Sequence, residues 1–596
     1  MKPIYRLFIS FKKRFLSLRK LFLHSSASGG CPDAYDYSKW IRRFDTLGEK
    51  NLLLIKDEIG NIPSPPIISI ILTVENPVIE FLEAAIKSIQ DQIYPHWQLC
   101  ITCNGSAATE VTMLIDKHVH ADQRVTCYLH EDGSRFYPIT NAAIQLVTNE
   151  YLTFIDQHDQ LHPLALYWSA REIITYPDSA LIYSDEDKID RYGLRKDPYF
   201  KCDYNYELLL CQNMIRHLGV YSTALVKNIG GLREGFEGVE DYDLALRVVE
   251  QLRAEQIRHI PRVLYHVRIN DTGKSSKASL LAVKHHFERM GISATAEEAP
   301  EIPACNRIHY AIPVSQPSVD IIIPTRDKAN LLRSCIDSLL SKTTYNNYSI
   351  TLVDNGSTEQ DALSLFNTWE MDHRFRILRD RETPFNYSRL NNRAVRSSRA
   401  DYVCLMNNDI EIISPEWLHE MIGHALQPGA GAVGARLWYP NGTLQHGGVI
   451  VGYGGVAGHA HRGLRKGSSG YFGRACLQQE FSAVTAACLV VSRVHYLSVD
   501  GLDEHNLAVM FNDVDFCLKL NAKGLRNVWT PYAEMFHHES VSKGRDSTVE
   551  TKERAKKEVN YMRQRWSNFI LHDPAYNQNL ALDTDEFSLA WPPRRD

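Results

Sequence analysis

One structural plan is written twice in this chain, with the second copy set 251 residues after the first. SIILTVEN begins at residue 69 and DIIIPTRD at 320, LCITCNGS at 99 and ITLVDNGS at 350, YLTFIDQHD at 151 and YVCLMNNDI at 402. Three strand-end motifs held at one offset mark an internal duplication. A fourth pair, VEDYDLALRV at 239 and FNDVDFCLKL at 511, follows at a spacing of 272. Within each copy, aliphatic strands alternate with amphipathic helices such as ANLLRSCIDSLL. That alternation predicts parallel strands joined by crossover helices, a doubly wound α/β sheet in each copy. Ligands of such sheets bind beyond the carboxyl ends of the strands. The polar tips Asp354-Asn355-Gly356-Ser357 and Asn407-Asn408-Asp409 both fall there and are expected to face one crevice.

A chain of 596 residues is too long for one core, and the duplication says how it divides. Proline-rich punctuation precedes each first strand, in NIPSPPIISIILTVEN and in AIPVSQPSVDIIIPTRD. We expect domains over 66–295 and 319–565, a helical lead-in over 25–65, a linker over 296–318 and a tail over 566–596. Net charge is −5, which gives no ground for a nucleic-acid partner. Of the 12 cysteines only Cys100 and Cys103 stand at CxxC spacing, and a single such pair within an apolar run indicates neither a zinc cluster nor a disulfide framework. Cys100, Cys103, Cys404 and Cys488 lie in apolar runs and read as small core residues.

Residues 1–24, MKPIYRLFISFKKRFLSLRKLFLH, set Ile4, Leu7, Phe8, Phe11, Phe15, Leu18 and Phe22 at helical spacing among seven lysines and arginines. This is the pattern of an amphipathic helix lying on an anionic membrane surface. A helix docked on the protein's own body has the same periodicity. No run reaches the roughly 20 apolar residues needed to span a bilayer.

A carboxylate placed directly after a buried strand is fixed in position and can hold a metal ion or a ribose hydroxyl. Asp354 fits the second role, with Gly356 permitting the tight turn; Asp409 is the natural ligand for a cation carrying a diphosphate. Either residue alone is more often a turn former or a helix cap. Their order on successive strands favours the chemical reading.

DIIIPTRDKANLLRSCIDSLL, LVDNGST, LMNNDIEI, NGTLQHGGVIVG, FNDVDFCLKL and HHESVSKG, in order from 320 to 544, resemble the family 2 inverting glycosyltransferases of the GT-A fold. The tandem arrangement is similar to enzymes that assemble bacterial surface polysaccharides such as O-antigen. The resemblance implies two tandem GT-A domains and makes Asn407-Asn408-Asp409 the DxD-type motif. Asp409 would then bind Mg²⁺ or Mn²⁺ on a nucleotide diphosphate. It implies that Thr325 and Asp354 contact the nucleoside, with Asp327 beside them, and that Asn407 and Asn408 line the donor. Asp513 matches the general base, since inversion by single displacement needs one carboxylate to take the acceptor hydroxyl's proton. Asp515 is expected to cap the following helix. His537 matches a histidine that completes the metal site, with His538 as the alternative.

The first copy departs from this pattern. Cys103 replaces the nucleoside Asp, Thr73-Val74-Glu75 replaces Pro-Thr-Arg, and His158 stands where the metal Asp belongs. YSDEDKID (183–190), GVEDYDLALR and RVLYHVR still look like family motifs. Asp241 matches a base, with Asp156, Asp159 and His266 as candidate metal ligands. The first copy is either a second transferase or a scaffold that binds glycan.

The implied function is transfer of a sugar from a nucleotide donor to a lipid-linked or growing glycan, at the cytoplasmic face of the plasma membrane and beside other polysaccharide-assembly proteins. A sugar nucleotidyltransferase would carry a Gly-rich phosphate loop near the first strand, and IIIPTRDKANLL has none. A non-catalytic glycan binder would have lost Asp409 and Asp513, and both are present.

Overall fold

A computed structural model describes residues 34–104, 108–130, 136–269, 276–538, 548–584 and 586–595. The expected amphipathic helix over 1–24 lies outside them. The duplication seen in the sequence is a duplication of hydrogen-bond register. Ile68 pairs with Trp97 on one side and Tyr151 on the other. Shifted by 251, the same residues are Val319, Tyr348 and Tyr402, and they pair identically.

Each copy builds one large sheet. From one edge, the first runs Val125–His130, Trp97–Asn104, Ile68–Val74, Tyr151–Ile155, Val220–Ser222, Leu181–Ile189, Ile257–Arg268 and Gln160–Leu161. The second runs Phe375–Arg379, Tyr348–Asp354, Val319–Thr325, Tyr402–Met406, Cys488–Ser492, Ala430–Trp438, Arg526–His537 and Ile410–Ile412. The leading four strands of each are parallel, as the alternating pattern predicts. Beyond them Val220–Ser222 and Cys488–Ser492 turn antiparallel, so each sheet is mixed rather than wholly parallel. The central strands are buried on both faces, which is why they read as unbroken aliphatic runs. Crossover helix Ala329–Lys342 buries Leu332, Cys335, Ile336 and Leu339, a single stripe of 3–4 spacing laid on the sheet. Cys100, Cys103, Cys404 and Cys488 are buried and unbridged, in keeping with their apolar neighbours.

The stretch expected as a linker is structured. Ala294–Glu298 and Asn306–Tyr310 form an antiparallel ladder, and Gln478 of the second domain closes onto it, its amide bonding both Ile308 N–H (2.8 Å) and Ile308 C=O (2.7 Å). The tail straps the two domains together. Asn577 donates to both oxygens of Asp185 at 3.0 Å, while Asp573 accepts from Val451 N–H (2.7 Å) and Ser482 Oγ (2.5 Å). Trp40, on helix Ala34–Trp40, is fully buried and donates its indole N–H to Ala590 C=O at 3.0 Å. A buried charge cluster completes the join. His424 lies 3.3 Å from both Glu207 of the first domain and Glu420 on its own helix. Burial alone would push that imidazole down, but the two carboxylates prevail and hold it at about 9. Among the described residues, no helix is long and apolar enough to cross a membrane.

Candidate active site

In the second domain, strands Val319–Thr325 and Tyr348–Asp354 end side by side, with Thr325 paired to Asp354. Both residues are buried at this edge. Asp354 accepts the Ser357 N–H at 2.8 Å across a turn whose Gly356 sits at φ +70°, a conformation a side chain would strain. Asp327 has its own task. Its Oδ1 accepts the N–H groups of Thr358 (2.7 Å) and Glu359 (2.8 Å), tying down the loop before helix Gln360–Trp369. Against the upward push of partial burial, those two donors lower its pKa.

The triplet Asn407-Asn408-Asp409 links strand Tyr402–Met406 to the short strand Ile410–Ile412. Ile410 pairs with His537, and this brings Asp409 Oδ1 to 3.1 Å from His537 Nε2. Gln445 Oε1 stands 2.7 Å from His537 Nδ1, and Asn407 Nδ2 stands 3.2 Å from Nε2. An amide oxygen only accepts, so Nδ1 carries a ring proton, while the Asn407 amide nitrogen, a donor, suits a lone pair on Nε2, the nitrogen that faces Asp409. Two acceptors at that separation suit a cation between them. Among the described residues, no group of three or more His, Cys, Asp or Glu side chains could hold a metal. Asp409 and His537 could hold a cation only as two of its ligands, with diphosphate oxygens and water supplying the rest. His538 is directed elsewhere, with Nε2 at 3.1 Å from Glu411. Asn408 Nδ2 donates to Thr325 Oγ1 at 3.0 Å, joining the triplet to the paired strand ends at Thr325 and Asp354.

Asp513 opens helix Asn512–Asn521, half-buried, behind Phe511 at φ +58°. Its Oδ2 accepts from Thr485 Oγ1 and from Ala486 N–H, both at 3.1 Å. Tyr387 bridges the base end and the triplet, its hydroxyl 3.2 Å from Ala486 C=O and 3.3 Å from Asn407 Oδ1. Asp515 does not cap the helix. It is fully buried within the first turn, accepts the Trp566 indole N–H at 2.8 Å and lies 3.4 Å from both Arg565 and Lys519. It therefore anchors the tail. A cap would need Asp515 to stand before the helix, and the helix begins at Asn512.

The first domain keeps the backbone and reassigns the side chains. Asn76 repeats the positive φ of Asp327 (46° against 52°). Cys103 is buried where Asp354 would stand. Asp156 is tied to His158, which meets its Oδ1 at 2.8 Å with both N–H and Nδ1. Asp159 is buried and accepts from Tyr265 Oη (2.9 Å) and Arg268 N–H (2.7 Å), while burial pushes its carboxyl up to about 6. His266 pairs with Asp187 at 2.6 Å rather than with the triplet. The acidic run YSDEDKID is likewise structural: Asp185 receives the tail, and Asp187 receives Tyr37, Arg195 and His266. Asp241 opens helix Glu240–Val249 as Asp513 opens its own, but Arg216 Nε stands 4.0 Å from its Oδ2. Tyr151 pairs with Ser222 as Tyr402 pairs with Ser492, so Arg216 occupies the place of Ala486. Arg216 carries no signal in the sequence, because the spacing between copies has changed by that point. Gln445, Thr485 and Tyr387 were also missed, although Gln445 lies inside a motif already singled out.

A profile described as Glycosyl transferase family 2 matches residues 69–229 and 320–458, one segment in each copy. The uncharacterized protein y4gI of Sinorhizobium fredii is 42% identical over 90% of this chain and 60% of its own length. The O-antigen biosynthesis protein RfbC of Myxococcus xanthus is 31% identical over 96% of this chain and 45% of its own length. The chain thus spans about half the length of these curated relatives. Among solved structures, a mannosyltransferase of Pyrobaculum calidifontis shows a partial likeness, covering 43% of this chain and 66% of its own at 14% identity and a TM-score of 0.32. With both repeats matched over half of its residues, the chain belongs to glycosyl transferase family 2.

Proposed function

We propose that the second domain transfers a sugar, with inversion, from a nucleoside-diphosphate donor to a growing or lipid-linked glycan, and that the first domain serves as a scaffold. The observation that carries this is that two separate carboxylates stand at the two ends of one hydrogen-bonded chain, linked through Tyr387. Asp409 sits beside His537 at one end, and Asp513 is held half-open by Thr485 and Ala486 at the other. Thr325 and Asp354 would take the nucleoside, and Asn407 and Asn408 would line the diphosphate. Asp513 removes the proton from the acceptor hydroxyl as its oxygen attacks C1. The C1–O bond to the diphosphate breaks, and its electron pair leaves with the diphosphate. A divalent cation held by Asp409 and His537 would offset the charge that gathers on that leaving group. No covalent sugar–enzyme bond forms, so one base suffices.

For the first domain, the Arg216 guanidinium beside Asp241 supports the scaffold reading, since it competes for the carboxylate a base would turn to the acceptor. The basic, aromatic-rich pattern of residues 1–24 supports placement at the inner face of a membrane, where lipid-linked acceptors reside. The test is an assay of the full chain with a panel of nucleotide sugars, a lipid-linked acceptor and Mn²⁺ or Mg²⁺. Product of inverted anomeric configuration is expected. Free nucleotide sugar made from a sugar phosphate, with no glycan extended, would contradict the reading.

A further inference from the structure

We propose that Gln445 and His446 are paired positioning residues for this reaction, one setting the metal end of the site and the other the base end. The inference rests on the reading above of Asp409, His537 and Asp513. Both residues lie on the three-residue strand Leu444–His446, which pairs with Ala430–Trp438 and is buried throughout. Successive strand residues point to opposite sides, so neighbours in sequence reach different partners, His537 for Gln445 and Thr485 for His446.

Gln445 works through His537. Its Oε1 lies 2.7 Å from Nδ1, both groups are buried, and Asn407 Nδ2 meets the other ring nitrogen at 3.2 Å. Each ring nitrogen is met by the group that suits a single tautomer, with the proton on Nδ1 and the lone pair on Nε2. That is the tautomer a metal ligand needs, and it faces Asp409 at 3.1 Å.

His446 works through Thr485. It is fully buried, and its Nε2 accepts the Thr485 N–H at 3.4 Å. Its proton therefore sits on Nδ1, which lies 2.7 Å from His459 Nδ1. Held by its backbone, Thr485 points its hydroxyl at Asp513 Oδ2, 3.1 Å away. That hydroxyl and the adjacent Ala486 N–H leave the carboxylate one orientation in which to receive a proton. Neither Gln445 nor His446 contacts Asp513 or Asp409 among the hydrogen bonds described, so each acts through an intermediary.

The test uses the full chain and two readouts: Mn²⁺ binding with UDP or GDP, followed by electron paramagnetic resonance, and steady-state transfer with the best donor. Gln445→Met removes the acceptor at similar volume and is expected to weaken Mn²⁺ binding by about 10- to 100-fold. Gln445→Glu keeps an acceptor on Nδ1 and is expected to retain the metal. His446→Leu is expected to leave Mn²⁺ binding within about 2-fold while lowering kcat about 10-fold or more at unchanged KM. His446→Gln, whose amide can accept the Thr485 N–H, is expected to regain part of that loss. Metal binding unchanged in Gln445→Met, or weakened equally by His446→Leu, would overturn the proposal. A wild-type chain that neither binds Mn²⁺ with a nucleoside diphosphate nor transfers sugar would instead overturn the reading of the site.

Discussion

Asp409 Oδ1 and His537 Nε2 lie 3.1 Å apart, brought together by the single antiparallel pairing of Ile410 with His537. A carboxylate from one strand end and an imidazole from another thus meet at one buried corner of the sheet. Asp409→Asn keeps size and hydrogen bonding but removes the charge. It is expected to lower kcat/KM by at least about 10²-fold, with most of the loss appearing as a raised Mn²⁺ requirement. Steady-state kinetics across a metal titration checks this, and unchanged metal dependence would remove Asp409 from the role.

Arg216 beside Asp241 makes the first domain separable from the second by mutation. Asp241→Asn is expected to leave transfer within about 2-fold of wild type, because surface substitutions away from a working site change little. Loss of one of two distinguishable products would show instead that the first domain is a second enzyme.

The join between domains depends on pH. His424 is held at about 9 against burial by Glu207 and Glu420, and His259 at about 9 against burial by Asp185 and Asp203. Both folded values lie above the roughly 6.5 of an unfolded histidine. Their stabilisation is therefore present in full below about pH 6.5 and is lost as pH rises through about 9. The combined loss is on the order of a few kcal/mol. Melting temperature followed from pH 6 to pH 10 should fall between about pH 6.5 and about pH 9 and level off above that; a flat profile would contradict the paired imidazoles.

The tail strap is open to a local test. Asn577→Ala removes the one amide nitrogen that lies 3.0 Å from both oxygens of the buried Asp185 carboxylate and is expected to cost about 1–3 kcal/mol. Chemical denaturation of the full chain measures it. A change below about 0.5 kcal/mol would mean that Lys201, His259 and Asn579 satisfy Asp185 without Asn577.

The parallel half of each sheet was legible because a buried parallel strand leaves an aliphatic run and a polar tip, and two copies at one offset confirm each other. That pattern placed Asp354 and Asp409 at strand ends, whereas Asp513 followed only from the resemblance of FNDVDFCLKL to the family motif. The antiparallel half was not legible, since Val220–Ser222 is three residues long and carries little periodicity. Arg216 stayed hidden for the same reason. The choice between His537 and His538 turned on the register of Ile410–Ile412, which no local pattern encodes. Asp185 and Asp187 misled as motif carboxylates, because a buried anchor and a catalytic acid look alike until their partners are known. The linker hairpin and the strap were missed because neither has repeated hydrophobic spacing; their bonds go to residues far away in the chain.

The central claim is that Asp513 is the base of the working domain. Its most direct measurement is transfer by Asp513→Asn beside wild type, with the best nucleotide sugar, at saturating Mn²⁺. The variant keeps an oxygen for Thr485 and Ala486, so the fold and Mn²⁺ binding should persist while kcat falls by about 10²–10⁴-fold. Full activity in Asp513→Asn with every donor the wild type uses would contradict the account.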